Sequence, residues 1–376
     1  MNKKINLIFF HPYSAIGGAD NSLFRLISGL NLKKYNISFI TLNISFLKAK
    51  LPGVKFIEIK SSRSLFAIFK LRNEIKKLIK NNFYEKNILI SNQNYANILA
   101  FLSSFKIKNL KKIFIERNHT DELFFEKEIF RFTKNMLIYF LMKLIYPKID
   151  RIVAISKGLE KNLKTITPAS KIDLIYNPAF DKQIINLSKK KINYKFKKKF
   201  KYIICVSRFT KRKGIQELII SFCEALKINK NLKLILIGYG DEEKNIMNLI
   251  KLKELQKNIK IIKKCKNPYP YIKKSHLFIL NSKYEGFGNV LVESIILNTP
   301  VISTNCNSGP SEILLNGKGG DLIKVYDNSK ILTSKILQFF NNPVSLIQKK
   351  KFEKKKINRF SKINNLIKFK QLFSSI

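Results

Sequence analysis

Acidic residues are scarce in this sequence of 376 residues, which holds 25 Asp and Glu against 72 Lys and Arg and has a formal net charge of +47 at pH 7. Three explanations are open: drift of lysines onto solvated faces, attraction to an anionic membrane, and binding of nucleic acid. Near an anionic membrane each Lys or Arg contributes about 1 kcal/mol. Nucleic acid would be held through its phosphates, but no helix-turn-helix, aromatic RNA-binding motif or zinc spacing is present. We therefore expect no specific nucleic acid partner, while the first two explanations can hold together.

Cysteines are few, and carboxylates form no metal-binding pattern. The four cysteines are widely separated and include no C-x-x-C pair, which argues against a zinc or redox motif. Cys205 and Cys223 lie in apolar segments and are interpreted as small buried hydrophobic residues. No Asp-x-Asp sequence offers the usual carboxylate pair for a divalent cation. We expect no metal site, and the cysteine usage favours a reducing, cytoplasmic location.

Long apolar runs are also missing. A membrane-spanning helix needs about 20 apolar residues, and the strongest candidate, residues 136–146, is much shorter and contains Lys143. This segment predicts a helix buried in the core, with contact to a membrane interface as the alternative. Ile5–Phe10 is a short apolar run after a basic flank and predicts an opening strand rather than a signal peptide. We expect a cytoplasmic protein, with peripheral attachment to the inner face of the plasma membrane as the alternative.

Short apolar runs alternate with helical patterns along the chain, which is typical of βαβ units around a parallel sheet. The alternation breaks at Pro178 and restarts at Tyr202, after a lysine-rich stretch. The length favours two domains of ordinary size. The predicted organisation is a doubly wound α/β domain at 1–180, a basic linker at 181–200, a second doubly wound domain at 201–358 and a helix at 359–376.

The most informative segment is 285–293, EGFGNVLVE, in which two carboxylates bracket a glycine-rich turn. Gly286 and Gly288 let the backbone approach a ligand closely. The helix predicted to open near Asn289 directs free N–H groups and its positive dipole end outward. Glu285 precedes the turn and Glu293 lies about one helical turn inside the helix. The two carboxylates can accept hydrogen bonds from different hydroxyls of a ligand whose phosphates rest on the helix end, which suits a nucleotide-sugar.

Basic residues follow another predicted strand, in VSRFTKRKG at 206–214. Arg208 and Lys213, fixed between a strand and a helix, can stabilise negative charge on phosphates without a metal. The neighbouring Lys211 and Arg212 can equally be solvated surface. Two glycine turns also follow strands, at 17–18 and at 238–240, and such turns let backbone amides face a phosphate or sugar.

Together these segments resemble motifs of the retaining GT-B glycosyltransferases, the "group 1" family. Residues 285–293 are similar to its E-x7-E signature, 207–214 to G-R-x-x-x-x-K-G with Ser207 in place of the usual glycine, 237–240 to I-G-x-G and 309–312 to G-P-x-E. The resemblance implies the GT-B fold, two Rossmann-like doubly wound domains facing across a cleft. It also implies that the first domain is on the acceptor side, that the second binds the nucleotide-sugar, and that the C-terminal helix can cross back to the first domain.

The resemblance assigns roles to residues. Arg208 and Lys213 would hold the donor diphosphate, Glu293 the ribose and Glu285 the hydroxyls of the transferred sugar. The implied donor-binding set is Gly17, Gly18, Arg208, Lys213, Gly238, Glu285, Gly286, Phe287, Gly288, Asn289, Val290, Leu291 and Glu293, and the implied nucleobase loop is Cys265, Lys266 and Asn267. Tyr269 and Tyr271 beyond that loop are interpreted as packing residues.

A histidine is the remaining candidate. His119 follows a predicted strand, and the carboxyl edge of a parallel sheet is where ligands bind. In many members of the family a histidine at this place lies near the reactive carbon of the sugar. The implied catalytic residues are therefore His119, Glu285, Arg208 and Lys213, with His11 as a lesser candidate.

The predicted function is transfer of a hexose or N-acetylhexosamine from a nucleotide-sugar, with a UDP-sugar as the expected donor, to a glycan or lipid-linked glycan acceptor. The reaction would retain the anomeric configuration, need no metal or cofactor, and serve surface polysaccharide or lipopolysaccharide assembly. An anionic membrane surface is a further candidate partner. The alternatives are a nucleotide-sugar epimerase with the same fold, which needs no acceptor, and a basic nucleic-acid-binding protein.

Overall fold

The computed structural model describes residues 4–12, 17–42, 51–60, 66–80, 84–125, 129–326 and 328–376. The chain divides into two compact units, Met1–Pro178 with Lys362–Ile376, and Ala179–Ser361. Each unit is built on a parallel sheet whose strands are joined by crossover helices. Such sheets bury their strands on both faces, and this is why the strands are continuous apolar runs in the sequence. Among the described residues, no helix is both long enough and apolar enough to cross a membrane.

The first unit contains a seven-stranded sheet in the order β3-β2-β1-β4-β5-β6-β7, with every neighbouring pair parallel. Its strands are β1 Ile5–Phe10, β2 Tyr35–Thr41, β3 Lys55–Glu58, β4 Lys86–Asn92, β5 Lys111–Glu116, β6 Arg151–Ala154 and β7 Ile172–Leu174. Its helices are α1 Gly18–Ile27, α2 Ala67–Ile79, α3 Asn94–Ser104, α4 Ile129–Ile145, α5 Lys157–Leu163 and, from the end of the chain, α14 Lys362–Ser375. All six residues of the central strand β1 are buried.

The C-terminal helix α14 is tied to the first unit at several points. The ring of Phe373 packs edge-on against Tyr35 of β2, with 6.2 Å between ring centroids. Lys362 Nζ donates to Ser28 Oγ at 2.9 Å, and Lys86 Nζ of β4 donates to the carbonyl of Ser374 at 2.9 Å. These contacts explain why residues 362–376 group with residues 1–178.

The second unit contains a six-stranded parallel sheet in the order β10-β9-β8-β11-β12-β13. Its strands are β8 Lys201–Val206, β9 Leu232–Ile237, β10 Ile259–Ile262, β11 Leu277–Leu280, β12 Val301–Thr304 and β13 Asp321–Ile323. Its helices are α6 Lys182–Leu187, α7 Ile215–Ile228, α8 Glu243–Leu252, α9 Tyr269–Lys274, α10 Asn289–Ile296, α11 Pro310–Ile313, α12 Ser329–Asn341 and α13 Val344–Lys356. Because β8 pairs with β11, the loops that follow these two strands lie side by side.

Residues 181–200, predicted as a linker, belong to the second unit and include α6. The rings of Tyr194 and Phe196 pack against Tyr202 of β8, with centroids 6.2 and 4.6 Å apart. Asn267 Nδ2 also donates to the carbonyl of Leu187 at 2.9 Å. The lysine-rich composition concealed these apolar anchors. The sequence predicted bounds at 180 and 358, and the two units divide at 178/179 and 361/362.

Candidate active site

A left-handed glycine makes the turn between β11 and α10. Gly288 has φ +93° and caps α10, which begins at Asn289 as the sequence predicts. A Cβ on Gly288 would meet no atom closer than 3.5 Å, so there is room for a side chain at this position. Glycine is required here because of the positive φ, which other residues rarely adopt. Of the predicted segment, Phe287, Asn289, Leu291 and Glu293 are buried, whereas Glu285, Gly286, Gly288 and Val290 are half-buried.

The loop after β8 carries Lys213 to the carboxylate of Glu285. Gly214, with φ +57°, opens α7, and a Cβ on it would lie 2.2 Å from the carbonyl oxygen of Asn281 at the end of β11. This close backbone approach brings Lys213 Nζ to 2.5 Å from Glu285 Oε1. Ser282 Oγ donates to the same oxygen at 2.7 Å. Oε1 is thus occupied by two donors, and both members of the ion pair stay partly accessible.

The two arginines of this loop differ from the sequence interpretation. Arg208 is exposed, and within the described residues its side chain has no hydrogen-bond or ion-pair partner, so it does not pair with Glu285 as Lys213 does. Arg212, which could be taken as solvated surface, is half-buried. Burial lowers the pKa of its guanidinium, and the charge of Glu285 partly opposes that shift. The carboxylate of Glu285 therefore has a second cation in its neighbourhood.

Glu293 lies on the buried side of α10, where its Oε1 is 3.4 Å from the hydroxyl oxygen of Tyr269. Tyr269 opens α9 at the end of the predicted nucleobase loop. Asn267 Oδ1 accepts from the amide of Tyr269 at 3.3 Å, whereas Cys265 is half-buried and Lys266 is exposed. The sequence interpretation of Tyr269 as a packing residue is therefore incomplete, because its hydroxyl links this loop to Glu293. No periodic pattern could have revealed that link.

The G-P-x-E turn is packed against the backbone of the glycine-rich turn. Ser308 Oγ donates to the carbonyl of Glu285 at 2.8 Å. Gly309 has φ +92°, and a Cβ on it would lie 1.9 Å from the carbonyl oxygen of Phe287. The side chain of Glu312 accepts from the amide of Gly309 at 3.2 Å. The turn thus holds residues 285–287 in place.

A chain of contacts supports Phe287 from behind. Its ring packs edge-on against Phe360, with centroids 5.1 Å apart, and the guanidinium carbon of Arg359 lies 4.2 Å from the centroid of the Phe360 ring. Arg359 Nη2 pairs with Glu353 Oε1 at 2.7 Å. Burial raises the pKa of the Glu353 carboxyl to about 7, although the charge of Arg359 acts in the opposite direction. The glycine-rich turn therefore rests on an ion pair whose carboxyl group is buried and titratable.

Gly238, another glycine of the predicted donor set, is required by backbone packing. Gly238 ends β9, and a Cβ on it would lie 1.9 Å from the carbonyl oxygen of Ser207. Its amide donates to the carbonyl of Ile262 at 3.1 Å. The side-chain-free position lets the loop after β9 lie directly on the loop that carries Arg208. The reason expected from the sequence is different, namely that the turn lets backbone amides face a phosphate or sugar.

In the first unit, His119 lies three residues beyond β5 and caps a short helix, Thr120–Phe124. Its Nδ1 accepts from the amide of Asp121 at 3.3 Å. Burial lowers the pKa of His119, with Asp121 opposing the shift, which favours a neutral imidazole near pH 7.

The glycine turn predicted at 17–18 is only partly described. Gly17 is extended, with φ −154°, and Gly18 is the first residue of α1, while residues 13–16 of the same loop lie outside the described residues.

Sequence reasoning missed a buried polar cluster at the carboxyl ends of β1, β4 and β5. Arg117 is buried, and its Nη1 donates to Asn177 Oδ1 at 2.6 Å, while its Nε donates to Asn92 Oδ1. Burial lowers the pKa of Arg117 to about 10, with the charge of Asp20 the larger of two opposing effects. His11 Nε2 lies 3.3 Å from Asp20 Oδ1. Isolated charges in the sequence gave no signal that these residues meet.

Two further predictions concern metals and cysteines. Within the described ranges, no group of three or more His, Cys, Asp or Glu side chains is placed to hold a metal ion. Cys205 and Cys306 are buried, and burial raises the pKa of each thiol to about 12. The sequence predicts that Cys223 is buried, but it is half-buried and packs against the core of the second unit.

Comparison with known proteins finds a glycosyltransferase family model for each unit. Residues 188–359 match the family model described as "Glycosyl transferases group 1", and residues 16–180 match "Glycosyltransferase Family 4". An uncharacterized glycosyltransferase of Methanocaldococcus jannaschii is 29% identical over 300 residues, 75% of this chain and 72% of that protein. The N-acetylgalactosamine-N,N'-diacetylbacillosaminyl-diphospho-undecaprenol 4-alpha-N-acetylgalactosaminyltransferase of Campylobacter jejuni is 28% identical over 82% of this chain and 83% of that protein.

Solved structures share the fold. HepE of Anabaena, in complex with UDP and glucose, has a TM-score of 0.79 at 17% identity and covers 100% of both chains. Sucrose-phosphate synthase of Thermosynechococcus elongatus has a TM-score of 0.78 at 15% identity and covers 99% of this chain and 98% of that one. At these identities the likeness is evidence for the fold alone.

The contact between Gly309 and Phe287 gives a first prediction. Gly309→Ala and the control Gly317→Ala both place a side chain at nearly equal positive φ, +92° and +90°, at a cost of about 1–3 kcal/mol each. Only Gly309 has backbone at 1.9 Å from the added Cβ, whereas the nearest atom at Gly317 is 4.0 Å away. We expect urea unfolding to show the larger loss for Gly309→Ala. Equal losses would contradict the proposed packing of the two turns.

The raised pKa of Glu353 gives a second prediction. Because the folded state holds this proton more tightly than the unfolded chain, the associated stability is present below the ordinary carboxyl pKa and is lost as pH rises through about 7. Glu353→Gln keeps a neutral side chain at every pH. The melting temperature of the variant minus that of the wild type should therefore increase between about pH 5 and about pH 9. A difference that stays constant or decreases would refute the buried-carboxyl explanation.

Proposed function

Because the chain belongs to the group 1 glycosyltransferases and has the two-domain GT-B fold, we propose that it transfers a hexose or N-acetylhexosamine from a nucleotide-sugar to a glycan hydroxyl. The observation that carries the proposal is the Lys213–Glu285 pair beside the amino-terminal end of α10. The helix end suits the phosphates and the carboxylate suits sugar hydroxyls. A UDP-sugar is the proposed donor, and HepE, a structural neighbour, has been solved with UDP and glucose.

The two oxygens of Glu285 have different proposed roles. Oε1 is held by Lys213 and Ser282, and within the described residues Oε2 has no hydrogen-bond partner. We assign Oε2 to a hydroxyl of the transferred sugar. Lys213 then lies between the carboxylate of Glu285, which binds the sugar, and the diphosphate of the donor. Its charge stabilises the leaving diphosphate as the glycosidic bond breaks. Arg208 is assigned to the same diphosphate, which requires its exposed side chain to reorient when the donor binds.

Retention of configuration is proposed to follow front-face substitution. In that reaction the bond from the anomeric carbon to the diphosphate oxygen breaks, the acceptor oxygen bonds on the same face, and the leaving oxygen takes the acceptor proton. Glu285 is assigned a binding role rather than that of a nucleophile, because Lys213 and Ser282 hold Oε1 and Oε2 is assigned to a hydroxyl of the sugar. Glu293 is assigned to the ribose hydroxyls, and His119 to the hydroxyls of the transferred sugar. Positioning and charge stabilisation then supply most of the rate acceleration, without metal or cofactor.

The proposed acceptor is a glycan or lipid-linked glycan, in the assembly of a surface polysaccharide or lipopolysaccharide. The relative in Campylobacter jejuni is named for a diphospho-undecaprenol-linked acceptor and a 4-alpha linkage. The high positive charge of this chain would favour the anionic inner face of the plasma membrane, where such acceptors are anchored. We therefore place the enzyme in the cytoplasm, peripheral to that surface.

The proposal predicts which lysine matters. Lys211 and Lys213 lie in the same short turn, but Lys211 is exposed and is not paired with Glu285. We expect Lys213→Ala to lower turnover by about 10²–10³-fold, the cost of removing one charge-stabilising group. Lys211→Ala should keep near-normal turnover. The measurement is release of nucleoside diphosphate with a glycan acceptor, in buffer that contains EDTA.

A panel of nucleotide-sugars, screened first by thermal shift, selects the donor for this assay. The anomeric configuration of the product is then read by NMR. An equal effect of the two substitutions would contradict the assigned site. If no nucleotide-sugar stabilises the protein, the proposed donor class is contradicted. If EDTA abolishes all turnover, the metal-independent reaction is contradicted.

A further inference from the structure

Helix α4 presents an apolar face to solvent. The sequence predicts that residues 136–146 are buried, but the structure buries only one side, which includes Ile138, Met142 and Ile145. The exposed fractions of the other side's residues are 83% for Ile129, 41% for Phe132, 46% for Met136, 57% for Leu137, 57% for Phe140 and 47% for Leu144. We call these six residues the outer stripe.

The outer stripe is continuous rather than a set of scattered positions. With about 100° between successive residues, the six side chains fall within an arc of roughly 140° of the helix surface. From the first to the last residue the stripe is about 22 Å long. Single exposed apolar residues are normal on a protein surface, whereas a contiguous apolar patch of this kind marks an interaction site.

Basic residues accompany the stripe. The described helix α4 contains no Asp or Glu, and exposed Lys143 lies within the same arc, with its Nζ 4.7 Å from the centroid of the Tyr139 ring. Lys148 lies three residues beyond the end of the helix and is exposed. Asp121 and Glu122 are in the short helix that packs against α4. The helix and the turn after it therefore carry basic residues, and the described helix itself carries no acidic ones.

The neighbouring helices also carry exposed apolar residues. β3 to β4, β4 to β5 and β5 to β6 step in the same direction along the sheet, so right-handed crossovers place α2, α3 and α4 on one face. α3 packs against both α2 and α4. Phe69 of α2 is 77% exposed, and Phe105 at the end of α3 is 50% exposed. The helix layer thus offers apolar side chains beyond α4 itself.

We propose that the outer stripe lies on a membrane surface rich in anionic lipid. Its apolar side chains would enter the boundary between headgroups and acyl chains, while Lys143 and Lys148 reach lipid phosphates. α4 lies on the bilayer rather than crossing it, because its inner side is packed on the protein. The inference deepens the proposed function, since a lipid-linked acceptor would be met at that surface.

The charge of the chain favours a membrane over a second copy of the protein. Two copies pairing through this face would bring Lys143 and Lys148 of each toward the other, on molecules that each have a formal charge of +47. Such like charges oppose association. An anionic bilayer supplies both an apolar interior and the opposite charge, so it complements both features of the stripe.

The test uses flotation of the full-length protein with vesicles of phosphatidylcholine, alone or mixed with phosphatidylglycerol. The test variant is Leu137→Gln with Phe140→Gln. The matched control is Ile228→Gln with Leu252→Gln, which changes two side chains of the second unit that are 72% and 77% exposed. We expect the wild type and the control to bind the anionic vesicles in a salt-sensitive way. The stripe variant should bind at least about tenfold more weakly.

Equal binding by the stripe variant and the control, or equal binding to neutral and anionic vesicles, would overturn the inference. So would a wild-type dimer, seen by light scattering, that the stripe variant dissociates. Circular dichroism and nucleotide-sugar binding without vesicles should be unchanged in the stripe variant. Because donor binding is measured separately, failure of the proposed glycosyl transfer and failure of membrane docking give different results.

Discussion

The ion pair between Lys213 and Glu285 is the interaction on which the second unit's site depends. Its two residues are 72 positions apart in the sequence and meet because β8 and β11 are neighbours in the sheet. The left-handed Gly214 lets the loop after β8 touch the carbonyl of Asn281, and no other residue could sit there without displacing backbone. A cation and a carboxylate are thereby fixed beside the start of α10, where phosphate charge is also favoured.

Close backbone packing explains why this unit uses glycine at its loops. Gly238 and Gly309 have no room for a Cβ, whereas Gly288 has room but needs a positive φ. The turns form a layered support in which one loop's backbone rests on the next. Phe287, Phe360 and the Glu353–Arg359 pair hold that layer from behind. The rigidity required for charge stabilisation therefore comes from the whole set of loops and not from the ion pair alone.

The sequence predicted the doubly wound α/β architecture, the restart at β8 and the beginning of α10, because hydrophobic period and glycine spacing are local signals. It placed Lys213 and Glu285 in one site only because both match motifs of a known family, since no local pattern links the two residues. It did not predict the Tyr269–Glu293 contact, the buried Arg117 or the anchored segment 181–200, since these depend on pairs of residues distant in the chain. For α4, an apolar pattern all round the helix could not show which side the protein covers.

A double-mutant cycle on donor affinity tests the central claim most directly. The variants are Lys213→Met, Glu285→Gln and the two combined. Calorimetry measures the affinity of each for the nucleotide-sugar that the thermal-shift screen selects. If the two residues act as one unit in the donor site, each single variant weakens binding and the double variant loses less than their sum, with a coupling of at least about 1 kcal/mol. Losses that add to within about 0.5 kcal/mol would contradict the claim.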